Sequence, residues 1–224
     1  MTIDHMAWTF LPGYPTDAFA LCLHIIGRLT APIMMFFVVE GYYHTKNLKK
    51  YISRMFVFAF ISHFAYALMF GKSFIPFQDG ILDQTSIMWA LALGLVALAT
   101  VKSTNPKLKP LYKHIIVGFC LVASLCAAWS TPAVLAILYM GIHRGNFKQQ
   151  MISLVSVIAV YSIVYAIFIN LVYGIIHIFV VLAIPLLRRY NGERGKWGGM
   201  KWFFYIYYPA HLAILGLIRL VILS

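Results

Sequence analysis

Long apolar runs, separated by short polar connections, constrain the fold of this chain more than any other feature. They cover residues 19–43, 55–70, 86–101, 115–129, 132–143, 151–170, 173–187 and 202–222. A helix needs about 20 residues to cross the ~30 Å of hydrocarbon in a bilayer. Because lipid offers no partner for a free backbone N–H or C=O, a single run that crosses it must be helical. The pattern predicts an all-α, polytopic integral membrane helix bundle.

The first ten residues are also apolar, but as a helix they would cover only ~15 Å before a turn-rich segment begins at Leu11. We therefore expect a truncated first helix, with the natural chain starting about 10 to 20 residues earlier. The total is about eight or nine transmembrane helices. Runs 115–129 and 132–143 are short, and either two thin or tilted helices or a re-entrant hairpin would fit them. No internal repeat or soluble domain is evident, so residues 1–224 form one domain.

The composition excludes a soluble protein and argues against a nucleic-acid partner. Of the 224 residues, 62% are hydrophobic and 11% are charged, whereas soluble domains contain about 45–50% apolar residues. Residues 44–54, 102–114, 143–150 and 188–201 hold 15 of the 18 lysines and arginines. These segments are alternate connections, and basic loops face the cytoplasm. The distribution of the +12 net charge therefore predicts that these four connections lie in the cytoplasm.

Few ionisable side chains lie within the apolar runs. In these runs, their ends and the first ten residues they include Asp4, His5, His24, Arg28, Glu40, His44, His63, His177, His211 and Arg219. A charge at the bilayer centre costs roughly 2.5–3.5 kcal/mol, so each such group needs a partner or a function. Asp4 and His5 are adjacent and point about 100° apart on a helix. Asp4 therefore cannot orient His5 directly, and each must find a partner elsewhere.

Structural roles compete with functional ones for most of these groups. We expect His63 and His177 to hydrogen-bond to backbone carbonyls. Arg28 would either extend to the outer head groups or pack within a helix interface. Glu40 and His44 have the spacing of a helix-end ion pair. No metal site is expected, since the sequence has no C-x-x-C and no pair of histidines at i, i+4 with an acid nearby.

Four segments carry a resemblance to a known family. They are Asp4-His5, the GR-x-x-x-P motif at 27–32, VEGYYHTKNLKKYISR at 39–54 and FYIYYPAHL at 204–212. In this order the chain resembles the TraX family of transmembrane acyltransferases, which includes F-pilin acetylases. The resemblance implies transfer of an acetyl group from cytoplasmic acetyl-CoA to an acceptor such as the pilin amino terminus or another envelope component. It also implies a bacterial inner membrane.

The polar positions of that family correspond here to Asp4, His5, Arg28, Glu40, His44 and His211. Acyl transfer needs a base for the attacking amine or hydroxyl, and imidazole titrates in the right range. Either His5 or His211 could be that base. It also needs positive charge at the developing oxyanion, which Arg28 or His211 could supply.

Basic residues after the run 19–43 suit the phosphates of coenzyme A. They are Lys46, Lys49, Lys50 and Arg54, with Asn47 among them. The positive-inside rule alone would also explain the lysines. Glu40 and His44 would then shape the cytoplasmic entrance for acetyl-CoA.

Two other function classes fit the same pattern. A proton-coupled or small-solute transporter would also place histidines and acids along a transmembrane line with proline-broken helices. Such folds commonly have repeated halves, which this sequence lacks. A non-catalytic partner in an envelope complex would need interaction domains, and the loops here are too short for one.

Overall fold

The structure, a computed structural model, describes residues 1–75, 77–78, 80–82, 84–193, 195 and 197–223, without the side chains of residues 200, 201 and 223. Its helices are α1 (Thr2–Phe10), α2 (Ala18–Arg28), α3 (Thr30–His44), α4 (Leu48–Phe70), α5 (Ile87–Lys102), α6 (Pro110–Ala123), α7 (Ser130–Ile142), α8 (Phe147–Phe168), α9 (Leu171–Ile176), a 3₁₀ segment (His177–Ala183), α10 (Ile184–Arg188) and α11 (Met200–Leu223). The described part contains no β-strand, which confirms the all-α prediction.

Within the part of the chain that the structure describes, five helical segments are long and apolar enough to cross a membrane. They are Ala18–His44, Leu48–Phe70, Phe147–Phe168, Leu171–Arg188 and Trp202–Ile222, and α5, α6 and α7 add shorter apolar helices. Large apolar side chains cover the outside of the bundle: Phe60 is 65% exposed and Phe168 is 78% exposed. Water would not tolerate this surface, whereas lipid favours it. The chain is therefore a polytopic membrane protein.

Helix α5 forms the centre of the bundle, and most of its side chains are buried. It packs against α4, α6 and α7. Gly94 permits a close approach to α7, since a Cβ atom there would lie 2.6 Å from Cδ1 of Ile137. Helix α11 packs along α4, and the short α1 lies against both α2 and α11. The candidate site lies where α1 packs against these two helices.

The predicted single run 19–43 is divided into α2 and α3, which meet at Leu29. The physical reason is Pro32, which has no N–H to donate to the carbonyl of Arg28 and whose ring crowds that carbonyl. The run 173–187 is likewise interrupted by the 3₁₀ segment. Run 132–143 corresponds to α7, of 13 residues, whereas run 115–129 corresponds to α6 only in part, since that helix of 14 residues begins at Pro110 and ends at Ala123.

Alternate connections gather at the two ends of the bundle, as the charge pattern predicts. We call one end the basic end, which comprises the described residues within 45–47, 103–109, 143–146 and 189–199. There the Tyr43 hydroxyl donates to the carbonyl of Gly141 at 2.8 Å. At the opposite end, the Tyr173 hydroxyl donates to the carbonyl of Pro15 at 3.1 Å.

Candidate functional site

A hydrogen bond between two histidines joins the first and last helices. Nδ1 of His5 lies 2.8 Å from Nε2 of His211, and Nδ1 of His211 lies 2.9 Å from the carbonyl oxygen of Tyr207. A carbonyl oxygen can only accept, so Nδ1 of His211 carries the hydrogen. In the neutral ring Nε2 of His211 is then an acceptor, and His5 donates to it through Nδ1. This arrangement leaves the lone pair of His5 on Nε2.

His5 is partly buried between the helices. Its ring stacks on that of His211, with centroids 5.0 Å apart and planes at 24°. Within the described residues, no hydrogen-bond partner is found for Nε2 of His5. An imidazole that is held by Nδ1 and free at Nε2 has the arrangement of a general base.

Asp4 faces the other way, toward α2, where its Oδ1 atom lies 2.9 Å from Nδ1 of His24. Asp4 and His5 therefore each have a partner elsewhere, as predicted, and the structure places these partners on different helices. Gly27 makes the Asp4 contact possible, because a Cβ atom there would lie 2.2 Å from Cβ of Asp4. The short α1 is thus fixed between α2 and α11 by one polar contact on each side.

Two buried nitrogens in α2 have no hydrogen-bond partner among the described residues: Nε2 of His24 and Nε of Arg28. His24 is fully buried and Arg28 is 7% exposed. The two residues are four apart and share one helix face. Arg28 therefore packs within the bundle and does not extend to the head groups. Unpartnered buried polar groups are rare, and they are typical of catalytic and ligand-binding sites.

Trp129 supports the Arg28 guanidinium, whose Cζ atom lies 5.6 Å from the centroid of the indole ring. Trp129 has a φ of +63°, a left-handed conformation that costs about 1–3 kcal/mol for such a residue. Its ring also meets that of His177, with centroids 5.2 Å apart. The sequence reasoning missed Trp129, since a tryptophan in an apolar run carries no polar signal.

His63 and His177 behave as predicted. Nε2 of His63 lies 3.1 Å from the carbonyl oxygen of Phe74, and Nδ1 of His177 lies 2.7 Å from that of Tyr173. Both rings therefore donate to the backbone.

Among the described residues no group of three or more histidine, cysteine, aspartate or glutamate side chains could hold a metal ion.

Glu40, at the basic end, contacts both Arg144 and His44. Arg144 meets its carboxylate through Nε and Nη2, both at 3.2 Å, and Nε2 of His44 lies 3.3 Å away. The predicted pairing of Glu40 with His44 is present, and Arg144 is an additional partner. The hydrogen bonds that Arg144 donates to Glu40 raise the pKa of Arg144 above its ordinary value. The Arg144 guanidinium also lies over Tyr43, 4.5 Å from the ring centroid.

The predicted phosphate-binding residues lie at the start of α4. Lys46, Lys49 and Lys50 are exposed there. Asn47 caps the helix, its Oδ1 atom accepting from the backbone N–H of Lys50 at 2.9 Å. Arg54 is partly buried beside Tyr51. A large cavity lies at the basic end, and none of these five residues is part of its lining.

That cavity has a volume of about 1140 Å³ and lies between α3, α8 and α10. Its polar lining includes Glu40, Arg144, Lys148 and Arg188. A second cavity of about 550 Å³ opens at the opposite end, between the loop after α1 and the ends of α4 and α11, with Arg219 in its wall. The bundle therefore has a cavity at each end, and the histidines of α1, α2 and α11 lie within the bundle.

Comparison with known proteins gives the family. The model of the TraX protein family matches residues 1–219. A relative from Dichelobacter nodosus, named "Probable fimbrial assembly protein FimC, serogroup H1", is 29% identical over 222 residues, covering 96% of this chain and 89% of the relative. No solved structure matches the chain significantly. Because the family model covers nearly the whole sequence, this chain belongs to the TraX protein family.

Proposed function

We propose that this protein is a membrane-embedded acetyltransferase that moves an acetyl group from acetyl-CoA to an amine or hydroxyl acceptor. The observation that supports it most directly is the hydrogen bond between His5 and His211, which leaves Nε2 of His5 as the basic atom. Family membership supports the same activity, since the TraX resemblance implies acyl transfer.

The proposed step balances as follows for an amine acceptor. The amine nitrogen attacks the thioester carbonyl carbon, and Nε2 of His5 takes the proton that the nitrogen loses. The carbonyl oxygen becomes an oxyanion, whose charge the Arg28 guanidinium stabilises in a water-poor environment. The intermediate then expels the coenzyme A thiolate, which takes the proton from the His5 imidazolium. The products are the acetylated acceptor and free coenzyme A.

Asp4 and His211 act through other residues in this proposal. His211 orients the His5 ring by accepting from Nδ1. Asp4 holds His24 through Nδ1 at 2.9 Å. The negative charge of Asp4 also offsets the positive charge of the Arg28 guanidinium, which lies on the same helix face as His24. Fixed partners of this kind keep reacting groups within the narrow geometry that acyl transfer needs.

The acceptor that we propose is the amino terminus of a pilin or fimbrial subunit, or another envelope component. The name of the Dichelobacter nodosus relative refers to fimbrial assembly, and this supports an acceptor of that class. The bacterial inner membrane is the proposed location. It would place the basic end in the cytoplasm, where acetyl-CoA is made, and the opposite end toward the envelope.

Label transfer tests the proposal. Purified protein in detergent is mixed with acetyl-CoA labelled in the acetyl group and with a peptide that has the amino terminus of processed pilin. We expect label on the peptide in the presence of the protein only. Uptake of a solute or of protons into vesicles that contain the protein, with no label on any acceptor, would instead support a transporter and overturn the proposal.

A further inference from the structure

We infer that the cavity at the basic end binds the phosphate-bearing end of the acyl donor, through Lys148 and Arg188. The inference rests on the proposed function, and it moves the donor site away from Lys46, Lys49 and Lys50 at the start of α4. The cavity is the larger of the two described above, and its volume of about 1140 Å³ is above the ~300–1,000 Å³ of most small-molecule sites.

The charges at this cavity favour an anion. Lys148 and Arg188 line it and are exposed. Within the described residues, neither has a carboxylate at ion-pair distance. The third cation, Arg144, is already held by both oxygens of Glu40. Lys148 and Arg188 are therefore the cations that remain available, and such groups form strong charge-assisted hydrogen bonds with phosphate.

The deeper wall of the cavity is apolar. It is formed by Phe36, Met151, Val155, Ile184 and Leu187. A small inorganic anion would leave this wall unused, whereas a nucleotide with a long arm would cover it. The combination of a cationic rim and an apolar wall thus fits a phosphate-bearing amphiphile. Coenzyme A has this chemistry, with phosphates at one end and the thiol at the other.

The position of the cavity suits a donor whose reactive end must reach Arg28. Phe36 is eight residues from Arg28, or about 12 Å along the helix axis. On the other wall, Ile184 is seven residues from His177, or about 14 Å at the rise of a 3₁₀ helix. Trp129 contacts both Arg28 and His177. The elements that form the two walls therefore continue to Arg28 and His177, which both contact Trp129.

Lys46, Lys49 and Lys50, at the start of α4, are less suitable as the binding site for these phosphates. Asn47, which separates them, already accepts from the backbone N–H of Lys50 as a helix cap. Lys46, Lys49 and Lys50 are exposed and none of them lines the cavity. Exposed lysines at this end are also what the positive-inside rule produces without any ligand.

Paired charge variants test the inference. The binding of CoA to purified protein and the KM for acetyl-CoA are measured for Lys148→Gln/Arg188→Gln. We expect binding to weaken and KM to rise by about ten- to a hundredfold, as for loss of charged hydrogen bonds, while kcat changes little. The control Lys107→Gln/Lys109→Gln removes the same charge from exposed lysines at the same end, and we expect it to behave as wild type.

The outcomes separate this inference from the proposed function. Wild-type CoA binding by Lys148→Gln/Arg188→Gln would overturn the site. A result in which only Lys49→Gln/Lys50→Gln weakens CoA binding would overturn it as well. If the site variant loses CoA binding but wild-type protein transfers no acetyl group, the site stands and the proposed function fails. If the site variant loses only its interaction with phosphatidylglycerol nanodiscs and keeps CoA binding, the cavity is a lipid site and the inference is wrong.

A steric pair adds a readout that does not depend on charge. Val155→Trp places a large ring on the cavity wall, and we expect it to weaken CoA binding. Val160→Trp, on the same helix at a position that is 63% exposed and not part of that lining, is the matched control. Equal CoA binding by the two variants would contradict a donor in this cavity.

Discussion

Nδ1 of His5 and Nε2 of His211 lie 2.8 Å apart, although 206 positions separate the two residues in the chain. The bond requires α1 to lie against α11 while Asp4 holds the other side of α1 to α2. A helix of nine residues is therefore fixed by polar contacts on two sides. Because polar contacts in lipid lack competing water, this position defines both the fold near α1 and the geometry of the candidate base.

Replacement of either histidine should remove acetyl transfer. We expect His5→Ala and His211→Ala each to lower the rate by about 10²–10⁴-fold, the usual contribution of a positioned acid or base. His5→Ala removes the atom that accepts the proton, and His211→Ala leaves the His5 ring without its acceptor. The measurement is label transfer in membranes with equal amounts of folded protein.

His63→Ala is the control for this pair. His63 donates to the carbonyl of Phe74 and lies outside the candidate site. We expect it to keep its transfer rate. Wild-type rates in both His5→Ala and His211→Ala would remove these residues from the mechanism.

Substitution of Gly27 should separate α1 from α2. A Cβ atom at Gly27 would lie 2.2 Å from Cβ of Asp4, so Gly27→Ala must displace α1 and break the bond between Asp4 and His24. We expect a lower thermal unfolding midpoint and a lower transfer rate. Gly118→Ala in α6 is the control, since nothing lies within 4 Å of its Cβ position. That change should be neutral or stabilising by about 1 kcal/mol, and the opposite order of the two midpoints would refute the close contact.

Arg28→Lys should keep the charge and lose the function. Lysine lacks the planar guanidinium that packs over Trp129. We expect kcat to fall by about 10²–10³-fold, as for removal of an oxyanion donor, with little change in KM for acetyl-CoA. A larger effect on KM than on kcat would instead indicate that Arg28 contributes to ground-state binding.

The Glu40–Arg144 pair should stabilise the basic end modestly. Arg144 is about one-third exposed, so solvent screening limits the coupling in a Glu40→Gln/Arg144→Gln double-mutant cycle to about 1 kcal/mol. Glu40 raises the pKa of Arg144. A group with a raised pKa stabilises the fold below its unfolded pKa and loses this effect only as pH rises through its folded pKa.

For Arg144 that loss lies at pH values above the ordinary arginine range. The coupling free energy should therefore be constant from about pH 7 to 10. Thermal unfolding of the four proteins of the cycle across this range measures it. A coupling that disappears by about pH 9 would show that another group controls the interaction.

The apolar runs and the charge pattern were sufficient to predict the membrane bundle and its two ends. The 100° offset of Asp4 and His5 correctly predicted that each would find a partner elsewhere. Helix periodicity could not predict which helices, because the partners depend on how α1 packs. His24 shares a face with Arg28, but its role as the partner of Asp4 requires the packing of α1 on α2.

The basic end was harder to predict for a different reason. The lysines near Asn47 are adjacent in sequence and so dominate the pattern, whereas Lys148 and Arg188 meet at one cavity only in the folded chain. Arg144 and Glu40 are separated by 104 positions. Asn47 did carry a local signal, since asparagine before a helix is a common N-cap. That signal competes with a role in phosphate binding.

The most direct test of the account is the mass of the acceptor itself. Peptides or subunits that copurify with the protein are analysed by mass spectrometry from cells that contain wild-type protein or His5→Ala. We predict a mass increase of one acetyl unit on the acceptor amino terminus with wild-type protein and an unmodified acceptor with His5→Ala. An acceptor that is unmodified with wild-type protein, or equally acetylated with both, would contradict acetyl transfer at His5.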